Sequence, residues 1–193
     1  MHAIFFDVMS SARLVGADII VRPYCSEDAL SLWKIVDSEK ALMADLPWLV
    51  ETTEDARASY MRHLVASTWV GGRTAHFGIF ETGSGVTVGG IELHDIDWTL
   101  PSFVVGYWLA PSARGRGLAT QAVRLVTKFA LEQLGAVRVA IDPPATNSQS
   151  IAVARRSGFC LEGILKNHKR DAQGLLFDTF LFATTQPMHA VEE

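Results

Sequence analysis

A short run in which arginine alternates with glycine carries the clearest chemical signal in the sequence. Residues 106–111 (GYWLAP) indicate a strand that ends at a proline, and residues 118–134 have the apolar spacing of a long helix. Between them stand Arg114, Gly115, Arg116 and Gly117. Glycines let the backbone turn tightly against a ligand, and the first amides of a helix lack internal acceptors and lie at its positive end. The run therefore predicts an anion site that suits a diphosphate.

Two well-known phosphate-binding loops do not match this run. A Walker loop needs a lysine followed by serine or threonine after its last glycine, and a dinucleotide fingerprint needs the spacing GxGxxG. Residues 115–120 read GRGLAT and fit neither pattern. A turn between a strand and a helix does not need two arginines alternating with two glycines, so the run favours a ligand site over a plain connection.

Further polar residues with chemical potential lie before and after this loop. Under the two-residue period of a strand, Glu92 and His94 share the face opposite their apolar neighbours. Asn147 has the position of an N-cap for a short helix at 148–157, and Ser150 falls in the first turn of that helix. The six histidines show neither HxxxH nor HExxH spacing, so no metal site is expected.

The composition is that of a globular domain. The chain has 193 residues, 49% hydrophobic and 20% charged, which fits one folded domain. A net charge of −4 without a basic run longer than two residues argues against nucleic acid as a partner. No apolar stretch approaches the roughly 18 residues that a membrane crossing requires. Cys25 and Cys160 form no CxxC pair, which favours a reducing, cytoplasmic location.

Turn residues divide the chain into strands and helices that must position these groups. Strands are predicted at residues 17–22, 76–80, 86–94, 103–109, 137–141, 159–165 and 175–183, and helices from about residue 26, after Thr53, at 118–134 and at 148–157. The order gives an antiparallel meander followed by a strand, helix, strand crossover. We predict an α/β fold with a mixed sheet, organised as an N-terminal extension (1–16), one domain (17–184) and a C-terminal tail (185–193).

Together these features resemble the GCN5-related N-acetyltransferases, the GNAT superfamily. Residues 114–119 (RGRGLA) match the family signature R/Q-x-x-G-x-G/A, and the GYWL of residues 106–109 precedes it. Residues 147–150 (NSQS) and 157–163 (SGFCLEG) follow as in the RimJ/RimL-type branch, typified by ribosomal-protein-alanine acetyltransferases. The resemblance covers residues 17–184 and implies a mostly antiparallel sheet with splayed central strands, flanked by helices.

The resemblance implies acetyl-CoA as the cofactor. In the family the loop holds the pyrophosphate and the splayed strands hold pantetheine. The corresponding residues are Trp108, Leu109, Ala110, Arg114, Gly115, Arg116, Gly117, Leu118, Ala119, Thr120, Asn147 and Ser150. A backbone amide on the fourth strand, at Tyr107 here, helps to polarise the thioester carbonyl in family members, and such an amide would stabilise an oxyanion.

Two positions depart from the catalytic pattern of the family. Many relatives carry a tyrosine as general acid where this chain has Ala154, which leaves Ser150 as the expected proton donor. Some relatives use a glutamate where this chain has Phe103, and Glu92 becomes the expected base. The structural alternatives are a helix-start hydroxyl that bonds backbone for Ser150 and a solvated strand face for Glu92.

The acceptor side of the site is expected to include Glu92, His94 and Trp48. Trp48 lies in a loop where relatives line the acceptor pocket, and core packing is the alternative role. We expect an N-acetyltransferase that moves acetyl from acetyl-CoA directly to a primary amine, either a peptide N-terminus or a small molecule. A catalytically silent acyl-CoA-binding or regulatory module is the alternative, and the protein is expected to be a monomer or a homodimer.

Overall fold

One mixed sheet of eight strands organises the protein. The computed structural model describes residues 8–38, 53–66, 74–171 and 173–185. The elements are β1 (Leu14–Val15), β2 (Ile19–Arg22), α1 (Ala29–Ser38), α2 (Glu54–Ala66), β3 (Ala75–Glu81), β4 (Thr87–Asp97), β5 (Ser102–Leu109), α3 (Leu118–Glu132), β6 (Arg138–Ile141), α4 (Ser148–Arg156), β7 (Cys160–Arg170) and β8 (Leu176–Thr184). The strand order is β1-β2-β3-β4-β5-β6-β8-β7, in which only the β5–β6 pair is parallel. The predicted mixed, mostly antiparallel sheet is confirmed.

The meander β3-β4-β5 separates an apolar face from a polar one. Ile91 and Leu93 of β4 are buried, whereas Glu92 and His94 between and beyond them are half-buried on the opposite face. This is the alternation that the sequence predicts for the strand. The register of β3 against β4 sets His76 opposite Glu92, so the polar face continues onto the neighbouring strand.

The central strands β5 and β6 diverge after a short parallel ladder. Ser102–Val104 of β5 pairs with Arg138–Ala140 of β6. Among the residues that the structure describes, the pairing of these two strands ends there. Strand β5 continues to Leu109, and on its other side it remains paired with β4 as far as Gly89. The second half of β5 therefore borders a gap, as expected of splayed central strands.

Helix α3 covers the apolar face of the sheet across from this polar surface. Its inner side buries apolar side chains at helical spacing, namely Ala122, Val126, Phe129, Ala130 and, just beyond its end, Leu134. Phe129 meets Phe77 of β3 in an edge-to-face contact with ring centroids 6.3 Å apart. Burial of one such side chain stabilises the fold by about 1.5–3 kcal/mol, so these contacts hold α3 against the sheet.

Part of the N-terminal extension packs into the same core. Met9 is fully buried and Ala12 nearly so, and both belong to the main apolar cluster under α3. Leu14–Val15 then adds the first strand of the sheet beside Ile20–Val21. In the described part of the chain, no helix is both long enough and apolar enough to cross a membrane.

Candidate active site

The arginine-glycine loop has the backbone geometry of an open anion site. Gly115 and Gly117 adopt φ angles of +76° and +78°, which L side chains rarely take. No heavy atom lies within 4 Å of a Cβ built on either glycine, so their need for glycine comes from the backbone turn rather than from crowding. The turn leads directly into Leu118, the first residue of α3. The first amides of this helix have no acceptor within it.

The arginines of this loop are both engaged within the protein. The Arg116 guanidinium binds Glu81 at 2.6 Å, and Arg114 donates from Nε to the Leu109 carbonyl at 3.2 Å. Arg116 is therefore ion-paired with strand β3, and Arg114 is hydrogen-bonded to strand β5. The leading amides of α3 are donors that an anion could use, and these two contacts tie the arginines to the shape of the loop.

A third arginine, which the sequence analysis did not select, reaches the same helix start. Arg156 closes α4 and lies with its Nε 3.5 Å from the hydroxyl of Thr120 in the first turn of α3. The Arg156 carbonyl in turn accepts a hydrogen bond from Arg124 at 2.6 Å. The sequence offered one signal for it, a pair of basic residues in the last turn of α4, where a cation also suits the helix dipole.

The backbone of β5 offers hydrogen-bond donors to the gap. The Ala110 amide donates to Val88 across the β4 side at 2.9 Å. Because amides of an antiparallel strand alternate in direction, those of Tyr107 and Leu109 point away from β4, toward the gap beside β6. The expected pantetheine contacts at Trp108 to Ala110 are therefore not equivalent. The Ala110 amide is used within the sheet, whereas the Leu109 amide faces the gap.

A cavity of about 700 Å³ lies where β5 and β6 diverge, and residues from both faces of the sheet line it. It brings together Glu92, His94, Tyr107, Trp108, Asn147 and Ser150, all of which the sequence analysis selected, with the unselected His76, Gly106, Asp142 and Lys169. The loop residues 114–120 lie past the far end of β5, joined to the cavity by the strand. The predicted site residues thus form two neighbouring groups rather than one.

Two hydroxyl groups meet at the mouth of the gap. Asn147 caps α4 as predicted, because its Oδ1 accepts the Ser150 amide at 2.9 Å. The Ser150 hydroxyl lies 2.6 Å from the Tyr107 hydroxyl, so it bonds a side chain of β5 rather than only the backbone of its own helix. Burial raises the pKa of Tyr107, and the contact with Ser150 and the charge of Arg156 offset this only in part.

A carboxylate and an imidazole form a second pair on the opposite wall. Glu92 Oε2 lies 2.9 Å from His76 Nδ1. Burial by itself would raise the pKa of Glu92, but the hydrogen bond from His76 and the nearby charges of His76 and His94 together lower it. A Cβ at Gly106 would lie 2.9 Å from Glu92 Oε1, so this glycine lets the carboxylate extend across β5.

Of the other residues predicted for the acceptor side, the structure describes His94 but not Trp48. His94 lines the cavity and binds Asp95 with its Nδ1 at 3.0 Å. Trp48 lies outside the described residues. At the β6 end of the cavity, Asp142 holds the ammonium of Lys169 at 2.8 Å. No local motif predicts His76 or Lys169, because strand pairing brings each of them to the site.

Comparison with known proteins shows the family of this chain. The profile of the acetyltransferase (GNAT) domain matches residues 18–160. YdaF of Bacillus subtilis (strain 168), which carries the name of a ribosomal N-acetyltransferase, is 30% identical over 152 residues, or 77% of this chain and 81% of that protein. The ribosomal-protein-serine acetyltransferase of Escherichia coli (strain K12) is 29% identical over 138 residues, or 70% of this chain and 75% of that one.

Solved structures show the same fold at lower identity. The self-immunity acetyltransferase MccE, solved with acetyl-CoA and AMP, has a TM-score of 0.79 at 19% identity, covering 93% of this chain and 100% of that one. RimL with coenzyme A has a TM-score of 0.76 at 24% identity, covering 90% and 98%. The predicted family, fold class and enzyme class are therefore confirmed. The chain belongs to the GNAT family of N-acetyltransferases.

Proposed function

We propose that the protein transfers acetyl from acetyl-CoA to the N-terminal amine of a peptide or protein, with both substrates bound at once. One observation carries this proposal: the half of β5 that has no partner on its β6 side joins the start of α3 to the cavity that contains Glu92. The names of the relatives that act on ribosomal proteins support a peptide acceptor over a small molecule.

The described residues fit acetyl-CoA in shape and in donor chemistry. The open turn at Gly115 and Gly117 and the leading amides of α3 suit the pyrophosphate, with Arg156 beside them. The gap beside β5 suits the narrow pantetheine arm, since outward amides of Tyr107 and Leu109 border it. Acetyl-CoA supplies the activated acyl group, and the protein supplies orientation and charge.

The groups around the cavity match the needs of acyl transfer to an amine. The amine nitrogen forms a bond to the acetyl carbon while the carbon–sulfur bond breaks. The Tyr107 amide faces the charge that develops on the carbonyl oxygen, a contribution of about 3 kcal/mol in other acyl-transfer enzymes. Glu92 and its partner His76 take up the amine proton, and Ser150 gives the departing thiolate a proton.

Proton affinity also favours an N-terminal amine over a lysine. An α-amino group has a pKa of about 7.7–8.0, against about 10.4 for lysine, so far more of it is neutral near pH 7.5. The general base therefore has to remove a proton from a smaller fraction of the acceptor. The ionised Glu92 attracts the remaining cationic fraction of the acceptor.

Acetyl-CoA turnover against a panel of amines tests the proposal. The panel contains peptides with the N-termini of ribosomal proteins, the same peptides with blocked α-amines, polyamines and aminoglycosides. We expect thiol release with the free peptides and none with the blocked ones. Faster turnover of polyamines or aminoglycosides would contradict the peptide assignment. Tight acetyl-CoA binding without turnover on any amine would establish the silent module instead.

A further inference from the structure

We propose that the Tyr107 hydroxyl is the source of the proton that the departing thiolate receives, and that the Ser150 hydroxyl passes it on. The inference rests on the proposed function and assigns its proton-donating step to a pair of residues. It starts from the 2.6 Å contact between the two hydroxyls, which joins β5 to the first turn of α4 across the gap.

Acid strength makes serine alone an unsuitable donor. A thiol has a pKa of about 8.5 and a phenol about 10, whereas an aliphatic alcohol is a much weaker acid than either. A proton moved from Ser150 by itself would leave an alkoxide in exchange for the more stable thiolate. A proton moved from Tyr107 leaves a phenolate, which is a much weaker base than an alkoxide, so the step costs less than donation by serine alone.

The hydrogen-bonding capacity of the pair gives the relay its direction. Each hydroxyl has one proton, so when Tyr107 donates to Ser150, the serine proton must point to another acceptor. The Ser150 amide is already used by Asn147, which holds the serine in place without occupying its hydroxyl. Both residues line the cavity, and the proposal gives the serine proton to a sulfur atom held there.

The surroundings keep tyrosine protonated until it is needed. Tyr107 is largely buried, and burial raises the pKa of its hydroxyl, so the phenol is intact at neutral pH. Arg156 acts in the opposite direction because its positive charge favours the phenolate. This charge stabilises the product of the proton transfer, and it comes from the same arginine that reaches the start of α3.

The atoms of the step balance without any further reactant. As the carbon–sulfur bond breaks, sulfur keeps the bonding electrons and takes the Ser150 hydroxyl proton. Serine regains a proton from Tyr107, which becomes phenolate. The proton released by the amine, held on the Glu92–His76 pair, returns to the phenolate through water once the products leave, so the enzyme ends unchanged.

Tyr107→Phe tests the relay because it removes the hydroxyl and retains the backbone amide. We expect kcat to fall about 10²-fold, as for loss of a general acid, while the KM and Kd for acetyl-CoA stay within about twofold. Ser150→Ala is expected to lose as much, and the double variant no more, since the two hydroxyls act in sequence. Ser31→Ala is the matched control: it also breaks a contact between two hydroxyls, that of Ser31 with Thr87 at 2.7 Å, at a residue that does not line the cavity, and kcat should stay within about threefold.

A readout independent of the acceptor completes the test. Bound CoA is titrated by the ultraviolet absorbance of its thiolate, with desulfo-CoA as the blank. If the pair donates to sulfur, the thiol pKa lies about one unit lower in the wild type than in Tyr107→Phe or Ser150→Ala. The proposal is overturned if Tyr107→Phe keeps both its kcat and the wild-type titration. Should the wild type acetylate no amine, the proposed function fails, and this titration still decides the relay.

Discussion

The carboxylate of Glu92 differs from its neighbour Asp95 although each is paired with a histidine. Glu92 binds His76 inside the cavity, and its side chain is 37% exposed. Asp95 binds His94 from outside, with 68% of its side chain exposed. Charges shielded from water act more strongly on what lies beside them, so we assign the acceptor amine to the first pair.

Glu92→Gln separates these two pairs by experiment. We expect kcat/KM for the acceptor to fall more than about tenfold, because the variant removes the negative charge that holds His76 and attracts the amine. The Kd of acetyl-CoA should stay within about twofold. Asp95→Asn is the matched control and should change neither value. Equal losses in the two variants would show that a general surface charge is responsible.

The lowered pKa of Glu92 also fixes the sign of a pH effect on stability. A carboxyl group whose pKa is lower in the folded protein than in the unfolded chain stabilises the fold fully above its ordinary pKa of about 4.3. That contribution disappears as the pH falls through the lowered value. The difference in unfolding free energy between the wild type and Glu92→Gln should therefore be larger at neutral pH than in strong acid.

At the scale of elements, unequal strand lengths make the binding gap. Strand β6 has 4 residues and β5 has 8, so the shorter strand leaves the second half of the longer one open on that side. The start of α3 lies just beyond the open half. We therefore expect cofactor binding to depend on the turn that precedes α3 and less on the far end of the same helix.

Two glycines at opposite ends of α3 provide a test at this scale. Gly117 and Gly135 have φ angles of +78° and +68°, and alanine at either should cost about 1–2 kcal/mol of strain. We expect similar losses of thermal stability from both variants. By calorimetry, Gly117→Ala should weaken acetyl-CoA binding about tenfold or more, and Gly135→Ala by less than about twofold. Equal binding losses would remove the anion site from this loop.

At the scale of the whole molecule, the polar site depends on a core that begins near the N-terminus. Met9 is buried in the cluster that also contains Ile19, Phe77 and Phe129, and Phe77 itself lines the cavity. The segment before residue 17 thus takes part in the packing of the domain. The sequence identifies residues 1–16 only as an extension, because an apolar patch of that length indicates no single partner.

Met9→Ala tests this packing. We expect a loss of about 2–5 kcal/mol in the free energy of unfolding, since the variant leaves a cavity in the core. Val15→Ala, at a residue 54% exposed on the edge strand, should cost less than about 1 kcal/mol. Chemical denaturation of both variants measures the difference. A small effect at Met9 would show that the segment packs loosely.

Local patterns in the sequence determined the elements and the anion loop. Strand alternation, helix periodicity and the capping Asn147 act between residues that are neighbours in the chain, so residue types alone predict them. The run from Arg114 to Gly117 is equally local, and its glycines adopt the positive φ angles that the sequence suggests. The resemblance to the GNAT family rests on these local features.

Only the tertiary structure decided which side chains act together. Tyr107 and Ser150 are 43 residues apart and meet because β5 and α4 border the same gap. His76 faces Glu92 through the register of two strands, and a shift of one residue would turn one of them to the opposite face. Strand register and the divergence of β5 from β6 arise from packing over the whole sheet, and no short stretch of sequence encodes them.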